Sequence, residues 1–211
     1  MSETTRRRDP DATRTAILEA AEELFLEHGL ADTPTSRIAK RAGVTKSLIH
    51  HHFGSKEDLW NQVKRRHFET YFERQMELFA ETEGTENTES LMRRSIVGYF
   101  RFLQQNPRSV SFMSWRFVEG EDPCLDLEDQ LFEQGIARIE AAQEAGNLRA
   151  DIDALSMIKA FLAMALQWFQ TKDFVSQIFE GRDIQAMEEK YLEDMVTIFF
   201  EGVRPKNSPD A

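Results

Sequence analysis

The sequence predicts an all-α fold of about nine helices, and three observations carry that prediction. Apolar residues recur at three- and four-residue spacing along most of the chain. Those stretches are closed by glycine, or by asparagine followed by proline. No segment alternates apolar and polar residues with the period of a strand, and no repeat or low-complexity segment interrupts the pattern. At 211 residues, 41% hydrophobic and with 16 phenylalanines, the chain can bury a substantial core, and two unequal units suit its length.

The first helix is announced by Ile17, Ala20, Ala21, Leu24, Phe25 and His28 on one stripe, with Glu19, Glu22, Glu23 and Glu27 off it, and Gly29 ends it. Thr33 as N-cap and Pro34 in the first turn open a short second helix through Ile38 and Ala39 to Ala42, where Gly43 stops it. Thr45 caps a third helix that reaches Phe53, and Gly54 breaks it. Ser55 with Asp58 forms a capping-box-like start to a longer fourth helix, from about Lys56 to Ala80. ETEGTENTES, residues 81–90, reads as a loop.

A fifth helix then spans about Leu91 to Gln105, and Asn106 and Pro107 end it and start a sixth, Arg108 to Val118, closed by Gly120. A seventh from about Leu125 to Ala145 ends at Gly146 and Asn147, and NLRADID leads to an apolar eighth, Ala154 to Gln170. The ninth, Ile184 to Gly202, carries Met187, Tyr191, Met195, Ile198 and Phe199 at helical spacing, and the tail beyond Pro205 is polar.

Charge and composition narrow the function. The net charge of -11 argues at first against a polyanionic partner. Its distribution reverses the argument: residues 1–66 hold 12 Lys and Arg against 10 Asp and Glu, so 14 basic and 27 acidic residues fall beyond them. The acidity belongs to the second unit. Ala160 to Phe169, the longest nearly unbroken apolar run, is about half of what a membrane span needs. The N-terminus has arginines but no apolar segment behind them, so a cytoplasmic location and no membrane partner are expected. Cys124, the only cysteine, sits among carboxylates that disfavour its thiolate and is expected to be a bystander. There is no phosphate loop, no nucleophile elbow and no paired-histidine zinc motif, and no cofactor is expected. A helical enzyme or lipid carrier is therefore the weaker alternative class.

Two short helices joined by AGVT and braced by an amphipathic helix have the arrangement of a helix-turn-helix, whose second short helix can enter a DNA major groove. Lys46 and Ser47 occupy the leading turn of that helix, where side chains reach base edges, and a lysine can donate to guanine O6 or N7. Leu48 or Ile49, with Phe53, faces inward. The run His50, His51, His52 raises the alternative of a metal-responsive regulator. Successive residues on a helix point about 100° apart, so these three cannot converge on one ion as residues at i and i+4 can.

The stretches AILEAAEELFLEHGL and TSRIAKRAGVTKSLIHHHFGSKEDL together resemble the DNA-binding segment of the TetR family of bacterial repressors. The resemblance is close over about Arg14 to Leu59. It implies that Thr35 and Ser36 contact DNA, that Lys46 and Ser47 read bases, and that Lys56 clamps a phosphate at the start of the fourth helix. It places His50 and His52 where the family often has tyrosine or histidine on phosphate, with His51 on the same flank. Two departures stand out: Ser47 replaces a frequent glycine, and His50 the usual tyrosine. Base preference therefore cannot be carried over, and phosphate affinity is expected to vary with pH. Arg6, Arg7 and Arg8 are either an arm that tracks phosphates or a basic tail.

The implied organisation is an arm and DNA-binding domain over 1–57, a helical ligand-binding and dimerisation domain over 58–204, and a tail over 205–211. Such proteins pair their last two helices across a two-fold axis. The apolar circumference of Ala160 to Phe169 suits one neighbour in its own unit and another in a second subunit, so a homodimer is expected. Most of the aromatic residues of the second unit must be core. A pocket among helices five to eight is expected to use Trp115, Met164 and Trp168 for a small hydrophobic or aromatic effector. Arg116 either meets a carboxylate of that effector or pairs with a helix acid. The whole reads as a ligand-responsive repressor of a double-stranded, pseudo-palindromic operator.

Overall fold

The computed structural model describes residues 9–81, 88–119 and 125–205, and among these it contains nine α-helices and no strand. They are α1 (Pro10–His28), α2 (Thr35–Ala42), α3 (Lys46–Phe53), α4 (Lys56–Glu81), α5 (Thr88–Gln105), α6 (Pro107–Glu119), α7 (Leu125–Glu144), α8 (Ala154–Ile178) and α9 (Ile184–Val203). Arg6 to Arg8, Gly120, Cys124, most of the 81–90 loop, nearly all of the tail and the side chain of Arg116 lie outside the described residues.

The chain divides into two compact units: residues 1–68 with 111–124, and residues 69–110 with 125–211. This differs in two ways from a single cut after residue 57. The early turns of α4 stay with the first unit, and so does α6 from Ser111 onward. The cause is apolar: Trp60 and Val63 on α4 and Phe112 on α6 are buried in the core that Ile17, Ala21 and Phe25 of α1 begin, and Trp115 packs against it. A helix boundary read from sequence carries no information about which core claims each turn.

In the first unit α1 starts at Pro10, well before the apolar stripe. Asp9 is its N-cap, accepting from the Asp11 N–H at 3.0 Å, and proline occupies N1. Thr33 does not cap α2, as the sequence suggested; Pro34 holds the N-cap position. Thr33 is fully buried, and its hydroxyl lies 2.7 Å from the Gly29 carbonyl and 3.2 Å from that of Leu24, satisfying the end of α1 instead. The capping box at α4 is as expected: the Ser55 N–H and Oγ meet Asp58 Oδ2 at 3.1 and 2.6 Å, and the Asp58 N–H donates to Ser55 Oγ at 2.9 Å.

In the second unit α8 packs on α5, α7 and α9. Ile96, Phe100, Leu103, Met157, Ala165, Met195 and Phe200 form its most deeply buried layer. α8 runs to Ile178, two turns past Gln170, because no helix breaker occurs before Gly181 and loss of apolar periodicity does not itself end a helix. Glu188 of α9, 3% exposed, is held at 3.1 Å by the Trp168 indole N–H, at 2.8 Å by Lys172 Nζ and at 2.5 Å by Gln104 Nε2. Burial pushes its carboxyl up, but these three hydrogen bonds and the Lys172 charge together hold it below the ordinary carboxylate value.

Candidate nucleic-acid interface

α2 and α3 are joined by a turn that needs Gly43, at φ +66 and ψ 36. The Val44 N–H donates to the Ala39 carbonyl at 2.9 Å across it. Ile38 and Ala39 of α2 and Ile49 and Phe53 of α3 then enter the core, while Leu48 is only half-buried. That burial fixes what remains outside. Ser36, Arg37 and Lys40 on α2, and Lys46, Ser47, His50 and His51 on α3, are exposed, and Thr35 is half-exposed. Lys46 and Ser47 are the first two residues of α3, with the Ser47 hydroxyl 2.9 Å from that of Thr45. The helix leads with an ammonium and a pair of hydroxyls.

Among the described residues Arg37, Lys40 and Lys46 take part in no ion pair, whereas Arg41 is paired with Glu23. Arg37 and Lys40 are cations that the sequence reading passed over. Their signal was present in TSRIAKRA, where the residues flanking buried Ile38 and Ala39 must face outward. Lys56, expected as a phosphate clamp, has its ammonium 2.7 Å from the Leu30 carbonyl, so one of its three protons ties α4 to the end of α1.

The three histidines separate. His50 Nδ1 lies 2.8 Å from the Gly54 carbonyl oxygen. The His51 and His52 rings meet edge to face with centroids 5.5 Å apart, and His52 is half-buried with its ring 6.2 Å from Phe53. Among the described residues no group of three His, Cys, Asp or Glu side chains is placed to hold a metal ion. Gly54 adopts φ +81, and a Cβ there would lie 3.0 Å from Asp58 Oδ2. Gly54→Ala is expected to cost about 1 to 2 kcal/mol of stability through the positive φ, with added crowding of the capping box, measured by urea denaturation.

The residues expected at an effector site are distributed between the units. Met164 and Trp168 lie on α8 in the second, and Trp115 belongs to the first. The Trp115 indole N–H donates to the Leu26 carbonyl at 3.1 Å. The Trp168 ring stacks on Tyr191 at 4.6 Å and 25°, and the Met164 carbonyl accepts from the Tyr191 hydroxyl at 2.8 Å. Deeper in the second unit, buried Gln75 donates to Ser95 Oγ at 2.6 Å, and buried Tyr71 and Tyr99 lie ring to ring at 5.3 Å.

A three-helix core that presents one short helix with an unpaired lysine at its start, joined to a larger helical unit, defines a helix-turn-helix DNA-binding regulator and not an enzyme. Residues 17–63 match the profile described as bacterial regulatory proteins, tetR family, and residues 96–197 match that of the tetracyclin repressor-like C-terminal domain. The chain belongs to the TetR family. It is 23% identical over 189 residues to the HTH-type transcriptional repressor AcnR of Corynebacterium glutamicum, covering 85% of this chain and 89% of that one. Two solved structures share the fold: SmeT, the repressor of the Stenotrophomonas maltophilia multidrug efflux pump SmeDEF, with TM-score 0.67, 19% identity and 97% of both chains covered, and a gamma-butyrolactone receptor (ArpA-like protein), with TM-score 0.60, 23% identity and 94% and 91% covered. Among the described residues no helix is long and apolar enough to cross a membrane.

Proposed function

We propose that this regulator is a homodimeric repressor that releases a pseudo-palindromic operator when a small hydrophobic or aromatic molecule binds its second unit. The observation that carries the DNA-binding half is the unpaired Lys46 at the exposed start of α3. In this reading Lys46 and Ser47 contact base edges, Thr35, Ser36, Arg37 and Lys40 contact the backbone on one side, and His50 to His52 contact it on the other. Lys56 keeps two protons for a phosphate while it holds Leu30.

The homodimer is supported by apolar side chains that the single chain leaves uncovered: Leu155, Phe174 and Ile178 on α8, with Phe179 just beyond it, and Ile198 on α9, where Phe174 and Ile198 are 63% and 64% exposed. Exposed apolar residues in such number on two adjacent helices suit an isologous interface. Ile198→Glu places a charge in that interface. It is expected to convert the dimer to monomer in sedimentation velocity and to weaken operator binding at least about tenfold, since linked half-sites reinforce one another. A dimer unchanged by this variant and by Phe174→Glu would remove the interface from the account.

Effector response is supported by one structural neighbour, which is named as a gamma-butyrolactone receptor. Met164 and Trp168 are the proposed contacts in the second unit. Trp115 belongs to the first unit, where its indole N–H donates to the Leu26 carbonyl. Thermal-shift screening of hydrophobic and aromatic compounds, followed by operator release, tests this half. Compounds that raise the melting temperature without releasing DNA would contradict it.

A further inference from the structure

The end of α3 determines the protonation chemistry of His50. Two hydrogen bonds join His50 to Gly54: the Gly54 N–H donates to the His50 carbonyl at 2.9 Å, and the imidazole Nδ1 lies 2.8 Å from the Gly54 carbonyl oxygen. A carbonyl oxygen can only accept, so Nδ1 carries the proton. A neutral imidazole has a single N–H, and Nε2 is then a lone-pair acceptor. A phosphate brought to Nε2 would meet that lone pair and be repelled. Only the imidazolium, protonated on both nitrogens, can donate to it.

The acceptor that imposes this tautomer is itself fixed. Gly54 sits at φ +81 beside Asp58, and Asp58 is locked to Ser55 by the capping box. The charged groups on the elements around His50 are few. On α3 they are Lys46, one turn earlier, and the neighbours His51 and His52. α4 contributes Glu57, Asp58 and Lys56, the last bonded to Leu30; α2 contributes Arg37, Lys40 and Arg41, the last paired with Glu23. From α1, the Arg14 guanidinium lies 5.3 Å from the centre of the Phe53 ring. None of these is hydrogen-bonded to the His50 ring among the described residues.

We infer that His50 is a proton-gated phosphate contact, so that operator binding takes up one proton per subunit and tightens as pH falls. The inference rests on the operator-binding reading. Its sign follows from linkage: a phosphate at Nε2 favours the charged imidazole, so the added affinity is full at low pH and is lost as pH rises through the value of the bound ring. One charge-assisted hydrogen bond per subunit is gained when the ring takes up its proton. Among the described residues the second and third histidines share no such lock.

The test is binding by mobility shift at pH 6 and pH 8, at constant ionic strength, to a duplex that this protein selects from a random-sequence library. The native chain is expected to bind about tenfold more tightly at pH 6. His50→Gln, whose amide donates at either pH, is expected to lose most of that ratio. Equal native affinity at the two pH values, or an undiminished ratio in His50→Gln, would overturn the inference while leaving DNA binding intact. Failure to retain any duplex at either pH would instead strike the operator-binding reading. Long-range proton–nitrogen correlation spectra of the native protein give an independent readout should the variant not fold. A neutral His50 protonated on Nδ1 is expected, and one protonated on Nε2 would overturn the inference.

Discussion

Trp60→Ala is expected to destabilise the first unit by about 3 to 5 kcal/mol, as removal of a buried large aromatic side chain does. Trp60 is 1% exposed. Its ring meets Phe25 of α1 edge to face at 4.9 Å and Phe112 of α6 at 5.3 Å, and Lys64 Nζ lies 5.5 Å from its centre. The variant therefore opens a cavity where three helices meet and removes two aromatic contacts, each worth about 0.5 to 1.5 kcal/mol beyond area burial. Domain stabilities are only about 5 to 15 kcal/mol, so this loss is a large share of the total. Trp60→Phe, which refills most of the space, should lose less than half as much. The midpoint and slope of urea denaturation measure both, and a loss under about 1 kcal/mol for alanine would mean the three helices do not depend on this ring.

Lys46→Ala is expected to cost about 1 to 3 kcal/mol of affinity for a selected operator and to relax base preference at one position of each half-site. The physical reason is the ammonium's freedom: it is exposed, at the leading turn of α3, and carries no ion pair among the described residues. It can therefore reach a guanine edge without breaking a protein contact. Lys40→Ala supplies the contrast. If it contacts phosphate, its loss weakens all sequences alike and lowers the slope of log affinity against log salt by about one per contact. A Lys46 variant that behaves as Lys40 does, with unchanged base preference, would move base reading elsewhere on α3.

Where local chemistry decides an element, the sequence already displayed it. Gly43 and Gly54 end α2 and α3 because each must adopt positive φ, and Ser55 with Asp58 starts α4 by reciprocal hydrogen bonds. The order and number of helices followed from such signals, and the TetR membership from a motif that keeps its spacing. Tertiary contacts decided the rest. Thr33 looked like a cap because it precedes proline, yet its hydroxyl serves the end of α1, which no local pattern reveals. Trp115 reads in sequence with the aromatic residues of the second unit, but its N–H finds the Leu26 carbonyl in the first. Sequence shows Trp168 only as a ring for an effector, whereas its N–H is engaged by buried Glu188, 20 residues on. Arg37 and Lys40 are legible only once Ile38 and Ala39 are placed in the core, since the residues that flank these two in TSRIAKRA then face outward.

The most direct test of the account is selection of bound duplexes from a random-sequence library by the full chain, followed by mobility shift of the enriched sequence. Two copies of α3 related by a two-fold axis must read half-sites about 34 Å apart, one turn of DNA, or a multiple of it. The account predicts an inverted repeat with that spacing, whose retention falls steeply with salt and is weakened in Lys46→Ala. No retention of any duplex at low salt, or an enriched sequence without a dyad, would contradict it.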